Sequence, residues 1–142
     1  MAVHERAWCI VVPHHALGAR LARRRITVEL TKLVPTGLLL DVVAVAAELV
    51  GNAVRHAAPL PGGVIRVAWH VTPTAEGAHV EVRVTDGGST RVPEPRVVGP
   101  ESVDGRGLTI VASLARRWGV RREGGGQCVW AQLDTPRRHA AQ

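Results

Sequence analysis

Residues 48–57 read ELVGNAVRHA, and they end the most apolar part of the chain. Within them Glu48, Asn52 and His56 recur every fourth residue, so a helix would carry the three polar side chains along one side. The pattern predicts that this helix runs from about Leu38 to His56. Because it is apolar nearly all round, we expect it to be largely buried.

A carboxylate on such a helix is costly to bury unless it has a partner or a chemical role. Beside a bound nucleotide, the Asn52 side chain would offer an oxygen to Mg²⁺, which prefers oxygen ligands. Glu48 would then be placed to accept a proton from an attacking hydroxyl or water. In the alternative interpretation Glu48 solvates a helix edge, and this segment alone does not decide between the two.

A second segment, residues 84–88, reads VTDGG at the end of a predicted strand. A buried Asp86 at a strand end can accept a hydrogen bond from an amino group such as that of adenine. Gly88 lacks the Cβ that would obstruct a flat ring. The alternative is an ordinary turn, for which Asp-Gly-Gly is also typical.

A third segment, residues 105–108, reads GRGL and opens a predicted helix. Free backbone N–H groups and the helix dipole suit that point to phosphate, and glycines allow close approach. The predicted phosphate-binding residues are Gly105, Arg106, Gly107 and Leu108. The chain has no P-loop motif, no strand–GxGxxG–helix unit and no GxSxG motif.

The remaining pattern places these segments in a layered α+β domain. Residues 16–30 form an amphipathic helix, and Thr36 is the expected N-cap of the next one. Residues 86–104 have no period, which predicts a long loop. We predict a mostly antiparallel sheet with helices on one face, and the predicted strands are 8–12, 64–72, 79–85, 118–122 and 127–133.

Composition narrows the class of protein. The chain has 142 residues and a formal charge of +6, which fits one domain with a core at about 8–134 and a polar tail at 135–142. A basic chain can bind nucleic acid, but all four Trp residues adjoin apolar positions, so core packing is favoured over base stacking. Arg residues on the 20–25 face could instead dock an acidic protein.

The short apolar stretches of the sequence indicate where in the cell the protein is located and whether its cysteines are reduced. Cys9 and Cys128 each lie in one, which predicts buried thiols in a reducing compartment. His4, Cys9, His14 and His15 fit no common metal template. No signal peptide is visible, and residues 38–50 are interrupted by two acids, so we expect a cytoplasmic protein that does not enter the membrane.

Taken together, the three segments resemble the N, G1 and G2 boxes of the GHKL ATPases, the superfamily of gyrase, heat-shock chaperones, histidine kinases and MutL-type proteins. The ELVxNAxxHA form of residues 48–57 is most similar to the anti-sigma-factor serine kinases, including small actinobacterial ATP-binding regulators. The resemblance covers about residues 8–134. It implies the Bergerat fold, a two-layer α/β sandwich, with ATP or ADP and Mg²⁺ as cofactors.

By this resemblance Glu48 is the general base, Asn52 the Mg²⁺ ligand and Asp86 the adenine ligand. His56 would also face the nucleotide, with Gly88 beneath the ring and the 105–108 segment around the phosphates. The implied activity is phosphorylation of a serine on an anti-sigma-factor antagonist, with a sigma factor as a further partner and a homodimer as the assembly. A nucleotide-dependent interaction module without catalysis is the alternative.

The sequence departs from this family at three places. Thr90 stands where many relatives have the last glycine of the second box. Gln127 and Cys128 replace a Lys-Thr pair that would lie near the pocket, which predicts weaker nucleotide binding. Gly51 stands before Asn52 where relatives often have Thr, and a mid-helix glycine costs about 1 kcal/mol of helix propensity relative to Ala.

Overall fold

Five antiparallel strands form one sheet in the order β1-β2-β3-β5-β4. The structure is a computed structural model, and it describes residues 5–88 and 106–136. Along the chain its elements are β1 (Arg6–Pro13), α1 (Ala16–Leu30), α2 (Thr36–His56), β2 (Val64–Thr74), β3 (Gly77–Asp86), α3 (Arg106–Leu114), β4 (Arg117–Glu123) and β5 (Gly126–Asp134).

Side-chain alternation gives the sheet one covered face and one open face. Along β2 the residues Ile65, Val67 and Trp69 are buried, while the intervening Arg66 is exposed. Strand β3 alternates in the same way, which is the period of two that places successive side chains on opposite faces. The covered face packs against α2, which therefore forms the second layer of an α/β sandwich.

Helix α2 is the centre of the core. Eight of its residues are buried, and it contacts α1, α3 and the sheet. Its length and composition would also allow it to cross a membrane, but a core helix of a globular domain passes the same test. The core is aliphatic apart from Trp69, which is 1% exposed and stacks with Trp8 at a centroid separation of 5.8 Å.

The predicted architecture is confirmed, with an α+β sandwich, an antiparallel sheet and helices on one face. Helix α1 has the predicted bounds, and each strand is slightly longer than predicted. Two local predictions were wrong. Thr36 is the first helical residue and Pro35 holds the N-cap position. Cys9 is exposed because it lies on the open face of the edge strand β1, while Cys128, on the same face of the interior strand β5, is buried.

The end of β5 gives a stability prediction. Asp134 accepts hydrogen bonds from Arg116, at 2.7 Å, and from His79. Burial would raise the pKa of its carboxyl, but Arg116 and His79 together lower it below 3.8. The native state therefore holds the charged form better than the unfolded state does. Its contribution is complete above the unfolded pKa and is lost as the pH falls through the folded one.

We expect Asp134→Asn to lower the free energy of unfolding by about 1 kcal/mol at pH 7, since the pairs are partly exposed. The difference in the free energy of unfolding between this variant and wild type should become smaller when the pH falls below 3.8. Urea unfolding of both proteins at several pH values measures this. A difference that stays constant across that range would mean that the carboxylate charge is not the source.

Candidate functional site

The polar side of α2 holds the first group of predicted site residues. Glu48 and Asn52 are half-buried, and His56 is the exposed last residue of the helix. Within residues 5–88 and 106–136, the Glu48 side chain makes no hydrogen bond or ion pair. The Asn52 Nδ2 atom is buried without a hydrogen-bond partner in the same ranges. A buried donor without an acceptor is costly, so this side of α2 is suited to a bound polar group.

The other end of the Asn52 amide faces a cation. Its Oδ1 accepts a hydrogen bond of 2.9 Å from Arg55 Nη2. The guanidinium folds back over Gly51, where an added Cβ would lie 3.0 Å from Arg55 Nη1. The glycine therefore gives space to Arg55, a residue that the sequence interpretation did not include in the site. The Oδ1 position suits positive charge, which is consistent with a metal ligand.

Asp86 ends β3 with a side chain that is almost fully buried. Its Oδ1 accepts a hydrogen bond of 2.7 Å from the Gly88 amide, and the Gln127 side chain also hydrogen-bonds to the carboxyl. Burial raises the pKa of Asp86, while these two hydrogen bonds and the charge of His14 partly offset that effect. A carboxyl group that accepts hydrogen bonds is thus held below the surface at the end of a strand.

The backbone after α2 is joined to the backbone after Asp86. Ala58 donates to the Gly88 carbonyl at 2.9 Å, and Gly87 donates to the Ala58 carbonyl at 2.7 Å. The approach is so close that a Cβ at Gly87 would collide with the carbonyl of Pro59. Gly88 has a φ of +92°, a conformation that favours glycine. These contacts bring the Asp86 segment to the end of the helix that carries Asn52.

The third predicted segment is only partly described. Arg106 and Gly107 begin α3, which packs on α2, and Leu108 is buried in the core. The prediction that a helix opens at this motif is confirmed. Gly105 and Thr90 lie outside the described residues.

The two β5 residues that depart from the family pattern, Gln127 and Cys128, lie on opposite faces of the sheet. Gln127 pairs with Asp86 and contacts its carboxyl, so it belongs to the candidate site. Cys128 pairs with Thr85, on the face of the sheet that points away from the helices. The expectation that Cys128 lies near the pocket was therefore wrong, since neighbouring strand residues face opposite sides.

Grooves in the described part of the chain also lie on that outer face. One, of about 660 Å³, runs between residues 59–61 and the β4–β5 turn, and another, of about 340 Å³, lies beside Cys9. Both are lined by Thr85 and Arg66, and neither is lined by Glu48, Asn52 or Asp86. Residues 5–88 and 106–136 contain no cluster of three or more His, Cys, Asp or Glu residues suited to a metal.

Comparison with a solved structure supports the architecture. The chain is similar to a structure described as the RsbU and RsbW domains of Rv1364c from Mycobacterium tuberculosis, with a TM-score of 0.62 and 18% identity. The match covers 90% of this chain and 32% of the other. The chain thus spans about a third of that protein, and at this identity the likeness concerns the fold.

Comparison with sequences gives the family. None of the curated proteins matches this chain significantly. The family model described as the histidine kinase-like ATPase domain matches residues 14–133, a range that contains α2, Asp86 and α3. The chain therefore belongs to the family of histidine kinase-like ATPase domains.

Proposed function

We propose that this domain binds ATP with Mg²⁺ between α2, the end of β3 and the start of α3. The observation that carries the proposal is the buried Asp86 carboxylate, joined by backbone hydrogen bonds to the end of the helix that bears Glu48 and Asn52. A buried anionic acceptor suits the exocyclic amino group of adenine. The N-terminus of α3 supplies backbone donors and a favourable dipole for phosphate.

We further propose that the protein is a serine/threonine kinase of the anti-sigma type. Glu48 would take the proton from a serine hydroxyl as the oxygen bonds to the γ-phosphorus and the bond to the leaving ADP breaks. Asn52 would hold the Mg²⁺, which supplies charge neutralisation to the phosphates when bound. No described residue hydrogen-bonds to the Glu48 side chain, which supports this role.

The proposed partners follow from the family branch and from the RsbW domain named in the similar structure. They are an anti-sigma-factor antagonist, which receives the phosphate, and a sigma factor. We propose a cytoplasmic location and a homodimer, with no direct contact to nucleic acid.

A second candidate is a nucleotide-dependent interaction module without catalysis. It is favoured by one contact, since Arg55 already occupies the Asn52 oxygen that would bind Mg²⁺. A guanidinium at that point would support nucleotide binding without a metal. The two candidates differ in whether Mg²⁺ strengthens nucleotide binding through Asn52.

Calorimetric titration of ADP and ATP, with Mg²⁺ or with a chelator, tests the metal role. In wild type we expect Mg²⁺ to strengthen binding about tenfold, equivalent to ~1.4 kcal/mol. Asn52→Ala should bind equally in both conditions. Asp41→Ala is the matched control, because Asp41 is a half-buried acid three turns earlier in the same helix, and it should behave as wild type.

Two results would contradict the proposal. If wild type does not bind nucleotide at millimolar concentration, the site is not a nucleotide pocket. If wild type binds equally well with and without Mg²⁺, the metal role of Asn52 is wrong and the interaction module is favoured.

A further inference from the structure

His14 connects the start of the chain's first helix with the end of α2. It follows β1 directly and is half-buried. Its Nε2 atom lies 2.8 Å from the Ala57 carbonyl oxygen and 3.1 Å from that of Ala53. Carbonyl oxygens only accept hydrogen bonds, so Nε2 carries the hydrogen and donates. The imidazole thereby satisfies the Ala57 carbonyl, which helix ends leave without an intrahelical partner, and it shares the Ala53 carbonyl with the Ala57 amide.

The ring is held in place by its own backbone. The His14 amide donates to the Gly63 carbonyl at 2.9 Å, in the turn before β2. His15, the next residue, caps α1 by accepting a hydrogen bond of 3.1 Å from Leu17 N at its Nδ1. The contacts of the His14 amide and of the neighbouring His15 side chain therefore fix the direction in which the Nε2–H group of His14 points.

The peptide group between Ala57 and Ala58 is bound at both of its ends. Its carbonyl oxygen accepts from His14, and its N–H donates to the Gly88 carbonyl at 2.9 Å. Ala57 itself is outside the helical conformation, with φ −129° and ψ 160°. Intrahelical hydrogen bonds therefore do not determine the orientation of the 57–58 peptide plane. The two outside partners set its orientation instead.

From that peptide the contacts continue to the Asp86 carboxylate. Gly87 donates to the Ala58 carbonyl at 2.7 Å, and Gly88 donates to Asp86 Oδ1 at 2.7 Å. His14 is also near enough for its charge to favour the ionised form of Asp86, which lowers the pKa of that carboxyl. No sequence motif indicates this connection, because His14 is 72 positions from Asp86 in the chain.

We propose that His14 is a positioning residue that orients the 57–58 peptide and, through it, the Asp86 carboxylate at the base-binding end of the nucleotide pocket. The inference rests on the proposed function for its effect on nucleotide. The orientation of the peptide can be measured without nucleotide. His14 touches neither base nor phosphate in this role and acts through Ala58, Gly87 and Gly88.

Three variants test this role. His14→Ala removes the donor, and His14→Gln places an amide N–H near the position of Nε2. His15→Ala removes the α1 cap but leaves the 57–58 peptide bound, so it is the matched control for lost stability. Calorimetry with ADP gives affinity, thermal unfolding gives stability, and amide hydrogen exchange by NMR in nucleotide-free protein reports on Ala58 and Gly87.

We expect His14→Ala to weaken ADP binding about tenfold, the effect of one lost hydrogen bond, and to speed exchange at Ala58 and Gly87. His14→Gln should recover most of the ADP affinity and most of the protection of Ala58 and Gly87 from exchange. His15→Ala should lower the unfolding temperature without changing affinity or these two exchange rates.

The proposal is overturned if His14→Ala binds ADP as wild type does. It is also overturned if His15→Ala loses as much affinity for the same loss of stability, because His14 would then act only through general stability. Failure of wild type to bind ADP would refute the proposed function instead. In that case unchanged exchange at Ala58 and Gly87 in His14→Ala would separately refute the positioning role.

Discussion

Replacing Asp86 with Asn is expected to weaken adenine-nucleotide binding strongly while leaving the fold intact. A hydrogen bond to a charged acceptor is worth roughly 1.5–3 kcal/mol, so its loss weakens binding by roughly 10- to 150-fold. The new amide can also present a donor to the amino group of adenine. Asn keeps the volume of Asp and an oxygen for the Gly88 amide, which now donates to Oδ1 at 2.7 Å.

The same variant has a predictable effect on stability. Burial raises the pKa of Asp86 above its ordinary value of 3.8, so the native state binds more protons than the unfolded state just above that value. Stability contributed by this group therefore falls as the pH rises from 3.8 through the raised pKa. Asn does not titrate, so Asp86→Asn should lack this decline and be at least as stable as wild type at neutral pH.

Calorimetry with ADP and GDP measures the binding effect, and thermal unfolding from pH 3 to 7 measures the stability effect. Wild type should prefer ADP, because the six-position of guanine carries an acceptor, and the variant should lose that preference. Thr85→Val is the matched control, since Thr85 is buried next to Asp86 but faces the other side of the sheet. A variant that binds ADP as tightly as wild type would remove Asp86 from the site.

The elements of this fold could be predicted because their patterns are strong and local. The alternating Val residues of β3 predict a strand, and the long apolar stretch of α2 predicts a buried helix; both elements pack in the core as these patterns indicate. The strand order could not be predicted, because β3 pairs with β5 rather than β4, and that choice depends on contacts distant in sequence. Cys9 shows the same limit: its strand was predicted, but the face on which it lies was not.

Some residues of the candidate site could likewise be predicted from the sequence, and others could not. Glu48, Asn52 and Asp86 could be identified because a polar residue in an apolar element needs a reason to be there. Gln127, Arg55 and His14 could not, since each matters only through a partner that folding brings near. The Gly51 Cβ position beside Arg55 illustrates this, because in the sequence Gly51 is only an unfavourable helix residue.

The second large effect is expected from Glu48→Gln, which should slow phosphoryl transfer by about 10²- to 10⁴-fold, the usual contribution of a positioned general base. Gln has the same length but does not take the serine proton. Glu48 is half-buried and has no hydrogen bond or ion pair to a described residue, so the change should alter folding little. ADP affinity should stay within about twofold, equivalent to ~0.4 kcal/mol.

Single-turnover transfer from labelled ATP to the serine of a candidate antagonist measures this step, with Asp41→Asn as the control on the same helix. A variant that transfers at the wild-type rate would exclude Glu48 as the base, and equal losses of transfer and affinity would make it a binding residue. Because Glu48 and Asn52 lie one turn apart on α2, a general disturbance of the helix would affect both properties in both variants. Loss of transfer with unchanged affinity in Glu48→Gln, set against loss of Mg²⁺-dependent binding in Asn52→Ala, is therefore the pattern that separates a base from a metal ligand and a kinase from an interaction module.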